Sequence, residues 1–383
     1  MRSDVDSLLT AAREETGLVD FGDPTFRDGL EVLCEALDAE ARLNDVGRFA
    51  FRGMILGYLR ERLRIEDWYR RHPEIDAQTL RAPIFVTGLP RTGTTALSNL
   101  LAEDPAARSL RFWESQRPTP PPEAETYGTD PRIAEADAML EGMKQAAPDL
   151  AMMHDDTGAS PTENQDLLGQ HFQTQHFEGQ ADVASYVRWW TECDMLPAYR
   201  HHARVLKLLQ WRCPPTRWNL KSPPDVWHLE ALASVYPDVR IIWTHRDPAK
   251  VLPSVCTLIA AIRAIFSDRV DRHALGRAQL ALWSEGIRRA LAVRRRAMGL
   301  AFADVFMDDL VARPIETVRA VYERFGLPFS AGIEKRMRAW LAANPQHKHG
   351  ALRYRLEDFG LSLGEVREAF REYTEHFDVR LEG

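Results

Sequence analysis

The sequence has little of what several classes of protein require. Its 383 residues include four scattered cysteines and no Cys-x-x-Cys pair, which favours reduced thiols over a disulfide framework. None of its twelve histidines stands in a His-Glu-x-x-His or comparable spacing, so we expect no catalytic metal. The net charge of −7 argues against nucleic acid as the main partner, because phosphate backbones are bound by net basic surfaces.

Long hydrophobic runs are also scarce. The first six residues lack the basic-then-apolar order of a signal peptide. No uninterrupted apolar run approaches the roughly 18 residues of a membrane span, so we expect no stable membrane insertion. The composition, 45% hydrophobic and 27% charged, is that of an ordinary soluble protein with a substantial core. A cytoplasmic location is therefore expected.

Helical patterns fill the first 80 residues and then give way to an α/β pattern. Apolar residues recur at helical spacing up to residue 80, which predicts an N-terminal helical cap (1–80). Strand signals at 84–86, 217–220, 239–244 and 300–307 are separated by helices, as in right-handed βαβ crossovers. We therefore expect an α/β fold whose P-loop-like parallel β-sheet is flanked by helices. This domain would span 81–383, with a helical insertion at about 128–212 and a helical C-terminal part. Whether the cap supports a homo-oligomer stays open.

The most informative segment joins a strand, a glycine turn and a helix start over residues 83–95, which read PIFVTGLPRTGTT. Such a cradle directs backbone N–H groups and the positive end of a helix dipole at an anion. The spacing Gly88-x-x-x-x-Gly93 is that of the ATP-binding P-loop, but Thr94 stands where that loop has lysine. The cation is instead Arg91, inside the loop. The cradle (83–95) therefore predicts a site for a phosphorylated nucleotide that is not an ordinary ATP or GTP site.

Two later strands also end in a cation. The strand at 239–244 is followed by Arg246, and Ser254 lies about two helical turns further on the same side. A guanidinium and a hydroxyl suit a second phosphate, although a helix cap with an internal salt bridge is the alternative. The strand at 217–220 is followed directly by Lys221. Because ligands sit beyond the carboxyl ends of parallel strands, all these groups are expected to face one ligand.

Together the three segments resemble the sulfotransferases that use 3′-phosphoadenosine 5′-phosphosulfate (PAPS). The resemblance covers residues 83 to about 325, and it is closest to a large bacterial group whose loop reads GLPRTGTT and whose third motif reads HRDP. The arginine of the loop is also found in tyrosylprotein sulfotransferases, whereas cytosolic members have lysine there. Residues 308–314, which read DDLVARP, are similar to the family's YEDLxxxP stretch.

The resemblance implies roles for individual residues. The 5′-phosphosulfate loop would be Arg91, Thr92, Gly93, Thr94 and Thr95, the 3′-phosphate ligands Arg246 and Ser254, and the lysine near the transferring sulfuryl group Lys221. Met307 stands where relatives place a tyrosine against adenine. The basic segment that closes over the 3′-phosphate has only residues 347–350 as an analogue, with Lys348 as a cofactor-binding cation.

The catalytic base is open at this stage. Cytosolic relatives have a histidine two residues after the lysine, where this sequence has Pro223. Tyrosylprotein and heparan-type enzymes use a glutamate after the cradle helix, and the matching residue is Glu114, beside Trp113, whose indole could exclude water. The alternative for Glu114 is an exposed loop residue paired with a neighbouring arginine. His154 and Glu163 are rival bases or substrate ligands, and Trp113 is a further candidate substrate residue.

The sequence thus predicts sulfuryl transfer from PAPS to a hydroxyl, with 3′-phosphoadenosine 5′-phosphate as the product and no metal. Arg91 and Lys221 would stabilise developing charge and Glu114 would remove the acceptor proton. The acceptor would be a phenol, sterol, lipid alcohol or sugar. Two other hypotheses stay open: a P-loop-like small-molecule kinase, and a nucleotide-binding protein without catalysis.

Overall fold

A parallel β-sheet forms the centre of the molecule. The computed structural model describes residues 5–146, 156–296, 299–345 and 354–382. Its strands are β1 (Ile84–Gly88), β2 (Ala107–Ser109), β3 (Arg217–Lys221), β4 (Arg240–His245) and β5 (Ala301–Phe306). They lie in the order β2-β3-β1-β4-β5, and every neighbouring pair is parallel. The expected α/β class with a parallel sheet is confirmed.

Helices cover the sheet, and further helices precede its first strand and follow its last strand along the chain. In chain order they are α1 (Val5–Thr16), α2 (Phe26–Ala39), α3 (Asp45–Arg71), α4 (Thr94–Ala102), α5 (Phe112–Gln116), α6 (Pro131–Ala146), α7 (Gln165–Gly169), α8 (His176–Gln180), α9 (Ala184–Glu192), α10 (Leu196–Gln210), α11 (Leu229–Val235), α12 (Pro248–Phe266), α13 (Arg272–Arg295), α14 (Met307–Ala312), α15 (Pro314–Arg324), α16 (Ala331–Ala343), α17 (Leu363–Ala369) and α18 (Arg371–Phe377). Short 3-10 turns lie between several of them.

The N-terminal helices share a hydrophobic core with the sheet. Leu8 of α1, Leu30 of α2 and Leu59 of α3 are fully or almost fully buried in the same cluster as Phe85 of β1. Their apolar faces are therefore covered by the rest of the chain, as the helical spacing requires. The division into a cap and a main domain stays a prediction.

Helix α12 carries the most apolar sequence of the chain. Asp247 caps its first turn by accepting a hydrogen bond from the N–H of Ala249 at 2.9 Å, with Pro248 in the first helical position. By length and composition it is apolar enough to cross a membrane, and half of that stretch is buried inside the protein against α3, α8 and α13. Lys250 and Arg263 interrupt the run, which is why a search for uninterrupted apolar residues missed it.

Strand register brings the cation-bearing ends together. Val86 of β1 is paired with Lys221 of β3, and Gly88 of β1 with Thr244 of β4. The cradle that follows β1 therefore lies between the end of β3 and the end of β4. This edge of the sheet holds the candidate site.

Candidate active site

The cradle is built on two backbone positions that require glycine. Gly88 has φ +133°, and a Cβ there would lie 2.6 Å from the carbonyl oxygen of Thr244 on β4. Gly93 has φ +87° and forms the N-cap of α4. Thr92 is buried and its Oγ1 lies 2.6 Å from both the Leu89 carbonyl and Thr244 Oγ1. The loop is thus anchored on β4, with the N–H groups of the first turn of α4 at its end.

Arg91, Arg246 and Ser254 lie together beside the cradle. Arg91 is itself in a left-handed conformation, with φ +61°, and its Nε lies 3.2 Å from Ser254 Oγ on α12. Arg246 Nη1 donates to the carbonyl of Arg91 at 3.3 Å. Ser254 is buried, so its hydroxyl is held in one place. The structure therefore brings these three residues to one point, as the strand-end argument requires.

Lys221 connects the cradle to a carboxylate. Its Nζ lies 3.5 Å from Thr95 Oγ1 at the start of α4 and 3.0 Å from Glu163 Oε1. The Lys221 side chain is 7% exposed and that of Glu163 is 35% exposed, so the pair is open to a ligand from the Glu163 side. Thr94, next to Thr95, is buried. A cation and a carboxylate thus lie side by side at the start of α4.

A cavity of about 390 Å³ opens on this side of the cradle. Pro90 of the cradle, Glu163, and Pro223 and Pro224 after β3 line one end of it. Side chains of α12 line much of the rest, together with residues of α6, α8 and α13, and most of its surface is apolar. A molecule in this cavity would have Glu163 within reach.

Arg246 is engaged by a residue that the motif search did not consider. Glu382 Oε1 lies 2.8 Å from Arg246 Nε, and Glu382 Oε2 lies 3.3 Å from Nη2. The next residue, Asp247, caps α12 and accepts from the N–H of Glu382 at 2.8 Å. The alternative drawn from the sequence, a cap with an internal salt bridge, therefore describes the contacts of this segment.

Glu114, the expected catalytic base, is buried and already paired with protein groups, which argues against that role. Its side chain is 0% exposed and forms an ion pair with Arg108 of β2. It also accepts hydrogen bonds from the N–H of Arg111 at 3.1 Å and the hydroxyl of Tyr127 at 3.2 Å. Trp113, offered as a substrate residue, is likewise buried, with the Arg132 guanidinium 4.5 Å from its ring centre. Both residues are part of the protein interior.

We expect Glu114→Gln to destabilise the protein rather than to stop its chemistry. Glutamine would leave the buried Arg108 guanidinium without a counter-charge, and breaking one partner of a buried pair costs about 3 kcal/mol. Urea unfolding of the variant should show a loss of free energy of unfolding of about that size. The structural role would be contradicted by unchanged stability together with a large fall in kcat.

Of the remaining residues singled out in the sequence, some lie outside the described part of the chain and one lies beside the cradle. His154 and Lys348 lie outside the residues that the structure describes. Met307 lies beside Gly93, since a Cβ built on that glycine would be 3.8 Å from Met307 Cγ. Within the described ranges, no three His, Cys, Asp or Glu side chains are grouped so that they could hold a metal ion.

Asp225 was missed by motif reasoning and supports the position of Glu163. It is buried, accepts from Tyr199 Oη at 2.8 Å and accepts from Asn164 Nδ2 at 3.2 Å. The N–H of Asn164 in turn donates to the carbonyl of Lys221 at 3.0 Å. These bonds hold residue 163 beside Lys221. The only local signal was a carboxylate placed four residues after that lysine.

Asp225 should make stability depend on pH. Burial raises the pKa of the Asp225 carboxyl to about 7, although the bonds from Tyr199 and Asn164 favour its charged form. Since the folded protein then holds a proton that the unfolded chain has lost, stability should fall as pH rises from about 4 to about 7. The free energy of unfolding of the wild type minus that of Asp225→Asn should therefore fall by about 1 kcal/mol per pH unit across that window. Urea titrations at several pH values test this, and a constant difference would contradict it.

Comparison with known proteins agrees with this geometry. Residues 83–331 match the model of the sulfotransferase family. The fold is similar to that of sulfotransferase STF9 from Mycobacterium avium, with a TM-score of 0.90 and 31% identity over 100% of this chain and 98% of that one. Sulfotransferase STF1 from Mycobacterium tuberculosis H37Rv gives a TM-score of 0.86 and 32% identity over 97% and 99%. No curated protein matches the sequence significantly. With its fold, its cradle and its strand-end cations, the chain belongs to the sulfotransferase family.

Proposed function

We propose that this sulfotransferase moves a sulfuryl group from PAPS to the hydroxyl of a small-molecule or lipid acceptor. The observation that carries the proposal is the contact between Glu163 and Lys221 at the cradle, 3.0 Å apart and open to a cavity. It supports the proposal because the pair would supply a proton acceptor to the acceptor hydroxyl and a cation to the sulfuryl group.

The residues around the cradle fit the charge of PAPS. Arg91 and Lys221 lie at the loop and at the start of α4, where a phosphosulfate would be bound by backbone N–H groups as well. Arg246 and Ser254 both contact Arg91, and their guanidinium and hydroxyl groups suit a second phosphate. When bound, PAPS supplies the sulfuryl group, and 3′-phosphoadenosine 5′-phosphate is the leaving group.

The chain's own residues would act on both ends of the transfer. The oxygen of the acceptor hydroxyl would form a bond to sulfur while the bond from sulfur to the phosphate oxygen breaks. Glu163 would accept the proton that the hydroxyl loses. Lys221 and Arg91 stabilise the charge that develops on the sulfuryl oxygens and the leaving phosphate. Holding the acceptor in line with the cradle supplies a further part of the rate.

Nucleotide preference tests the proposal directly. 3′-Phosphoadenosine 5′-phosphate should raise the midpoint temperature of thermal unfolding, since a ligand at 100 times its Kd adds about 2.7 kcal/mol of stability. ATP with Mg²⁺ should shift it little, because Thr94 replaces the P-loop lysine. A larger shift with ATP and Mg²⁺ would favour a kinase and reject the proposal. Sulfate transfer from PAPS to any alcohol completes the test.

A further inference from the structure

The cavity beside the cradle has a wall made by one face of α12. This face contributes Val255, Leu258, Ile259, Ile262, Ile265 and Phe266 to the cavity. Met143 and Leu140 of α6 line the same space. Because Pro90 and Glu163 line the other end, a hydroxyl at Glu163 would leave the rest of its carbon skeleton against α12.

Glu178 and Trp283 line the cavity beside α12, and both are hydrogen bonded to protein groups behind the wall. Gln279 Nε2 donates to Glu178 Oε1 at 2.8 Å, and Trp283 Nε1 donates to Gln279 Oε1 at 2.9 Å. Arg263, itself buried, pairs with the Glu178 carboxylate and donates to the Glu178 carbonyl at 2.7 Å. These groups are already satisfied, so hydroxyls of a polyol lying against this part of the wall would lose water without gaining partners, whereas Lys144, Asp156 and His176 line the cavity outside this cluster. That loss is costly.

We propose, on the basis of the function above, that the acceptor is an uncharged apolar alcohol. It carries one hydroxyl at the end of a hydrocarbon body, as in a sterol or a long-chain alcohol. The body lies along α12 and the hydroxyl reaches Glu163. A cavity of about 390 Å³ is within the range that holds ligands of this size. Sugars should be poor acceptors because most of the lining is apolar, and a simple phenol leaves most of the cavity unfilled.

A chain-length series provides the test. With the protein saturated by 3′-phosphoadenosine 5′-phosphate, the Kd of straight-chain primary alcohols should fall three- to fourfold per added methylene until the cavity is filled. Turnover with PAPS should follow the same order. A parallel sterol series identifies the preferred body, because the class with the higher kcat/KM fills the cavity better. Glucose and other sugars should give no turnover.

A pair of variants on α12 tests whether the alcohol binds against the wall that this helix forms. Ile262→Asp puts a carboxylate in the wall, whereas Ala264→Asp puts one on the exposed side of the same helix, about 200° away. The first should raise the KM for a long-chain alcohol at least tenfold and the second should leave it unchanged, with nucleotide affinity unaltered in both. Turnover of sugars, or an alcohol affinity independent of chain length in a protein that binds the nucleotide, would overturn this inference alone. A protein that does not bind the nucleotide would overturn the proposed function instead.

A second, independent observation concerns Glu382. Its two carboxylate oxygens face the Arg246 guanidinium at 2.8 and 3.3 Å, the paired arrangement that a phosphate would also take. The bond from its N–H to Asp247 holds it there. We infer that Glu382 occupies the place of the 3′-phosphate in the free enzyme. A nucleotide with a 3′-phosphate must therefore displace this carboxylate, which weakens its binding and assists its release.

Comparing a nucleotide that has a 3′-phosphate with one that lacks it distinguishes this inference from a general effect of removing a negative charge. Glu382→Gln should bind 3′-phosphoadenosine 5′-phosphate about three- to tenfold more tightly, whereas its affinity for adenosine 5′-phosphate should stay the same. Glu375→Gln, an exposed carboxylate of the same C-terminal segment, should change neither affinity. Unchanged or weaker binding of the bisphosphate to Glu382→Gln, or an equal gain for both nucleotides, would overturn it. Failure of the wild type to bind the bisphosphate would count against the proposed function itself.

Discussion

Replacing Glu163 by glutamine should lower kcat about 10²–10⁴-fold, the usual contribution of a general base. Glutamine keeps the size of the side chain and can still accept a hydrogen bond from Lys221, but it cannot take up the acceptor proton. The affinity for 3′-phosphoadenosine 5′-phosphate should be retained, because the Arg91 and Arg246 contacts are untouched. Steady-state turnover with an accepted alcohol and calorimetric nucleotide binding measure the two quantities.

Glu114→Gln is the matched control for this experiment. It makes the same chemical change in a carboxylate that is buried and paired with Arg108. Its kcat per folded molecule should stay close to that of the wild type. A Glu163→Gln enzyme with kcat within about threefold of the wild type would reject Glu163 as the base. A large loss in Glu114→Gln alone would return the role to that residue.

Replacing Lys221 by methionine should lower kcat about 10²–10³-fold. The ammonium group lies between Thr95 at the start of α4 and Glu163, where charge develops during transfer. Removing one such preorganised donor usually costs a factor of this size. Lys221→Arg keeps the charge and should retain more activity than Lys221→Met. A change confined to the acceptor KM, with kcat unchanged, would contradict this role.

The two residues should also be coupled. Because Lys221 and Glu163 touch, each single replacement disturbs the environment of the other. We therefore expect the double variant Glu163→Gln/Lys221→Met to lose less than the product of the two single losses. Strict multiplication would mean that the two groups act independently, and the contact at 3.0 Å would then have no role in the reaction.

The cradle and most of the sheet were predictable because their signals are local. Residues 83–95 encode a buried strand, two glycines with positive φ and a helix start within one stretch of chain. The strand signals for β1, β3, β4 and β5 were confirmed within a few residues. By contrast β2 was missed, since Ala107–Ser109 is too short for an alternating pattern and is a strand only through its pairing with β3.

The base could not be chosen from the same kind of signal. A motif places Glu114 after the cradle helix, but the structure shows that carboxylate buried, paired with Arg108 of β2 and bonded to Tyr127. Glu163 has no motif of its own. It reaches Lys221 because the N–H of Asn164 bonds to the carbonyl of that lysine, 57 residues further along the chain.

From its sequence alone, this protein's parallel sheet, the glycine loop between β1 and α4 and its membership of the sulfotransferase family could be foreseen, because strands, glycine turns and helix starts depend on neighbouring residues. Only the tertiary structure decided which carboxylate faces the cradle, that α12 lines a largely apolar cavity, and that Glu382 pairs with Arg246. The physical reason is that a carboxylate acts as a base, a buried counter-ion or a phosphate substitute according to the cations within hydrogen-bond distance. Those cations come from distant parts of the chain.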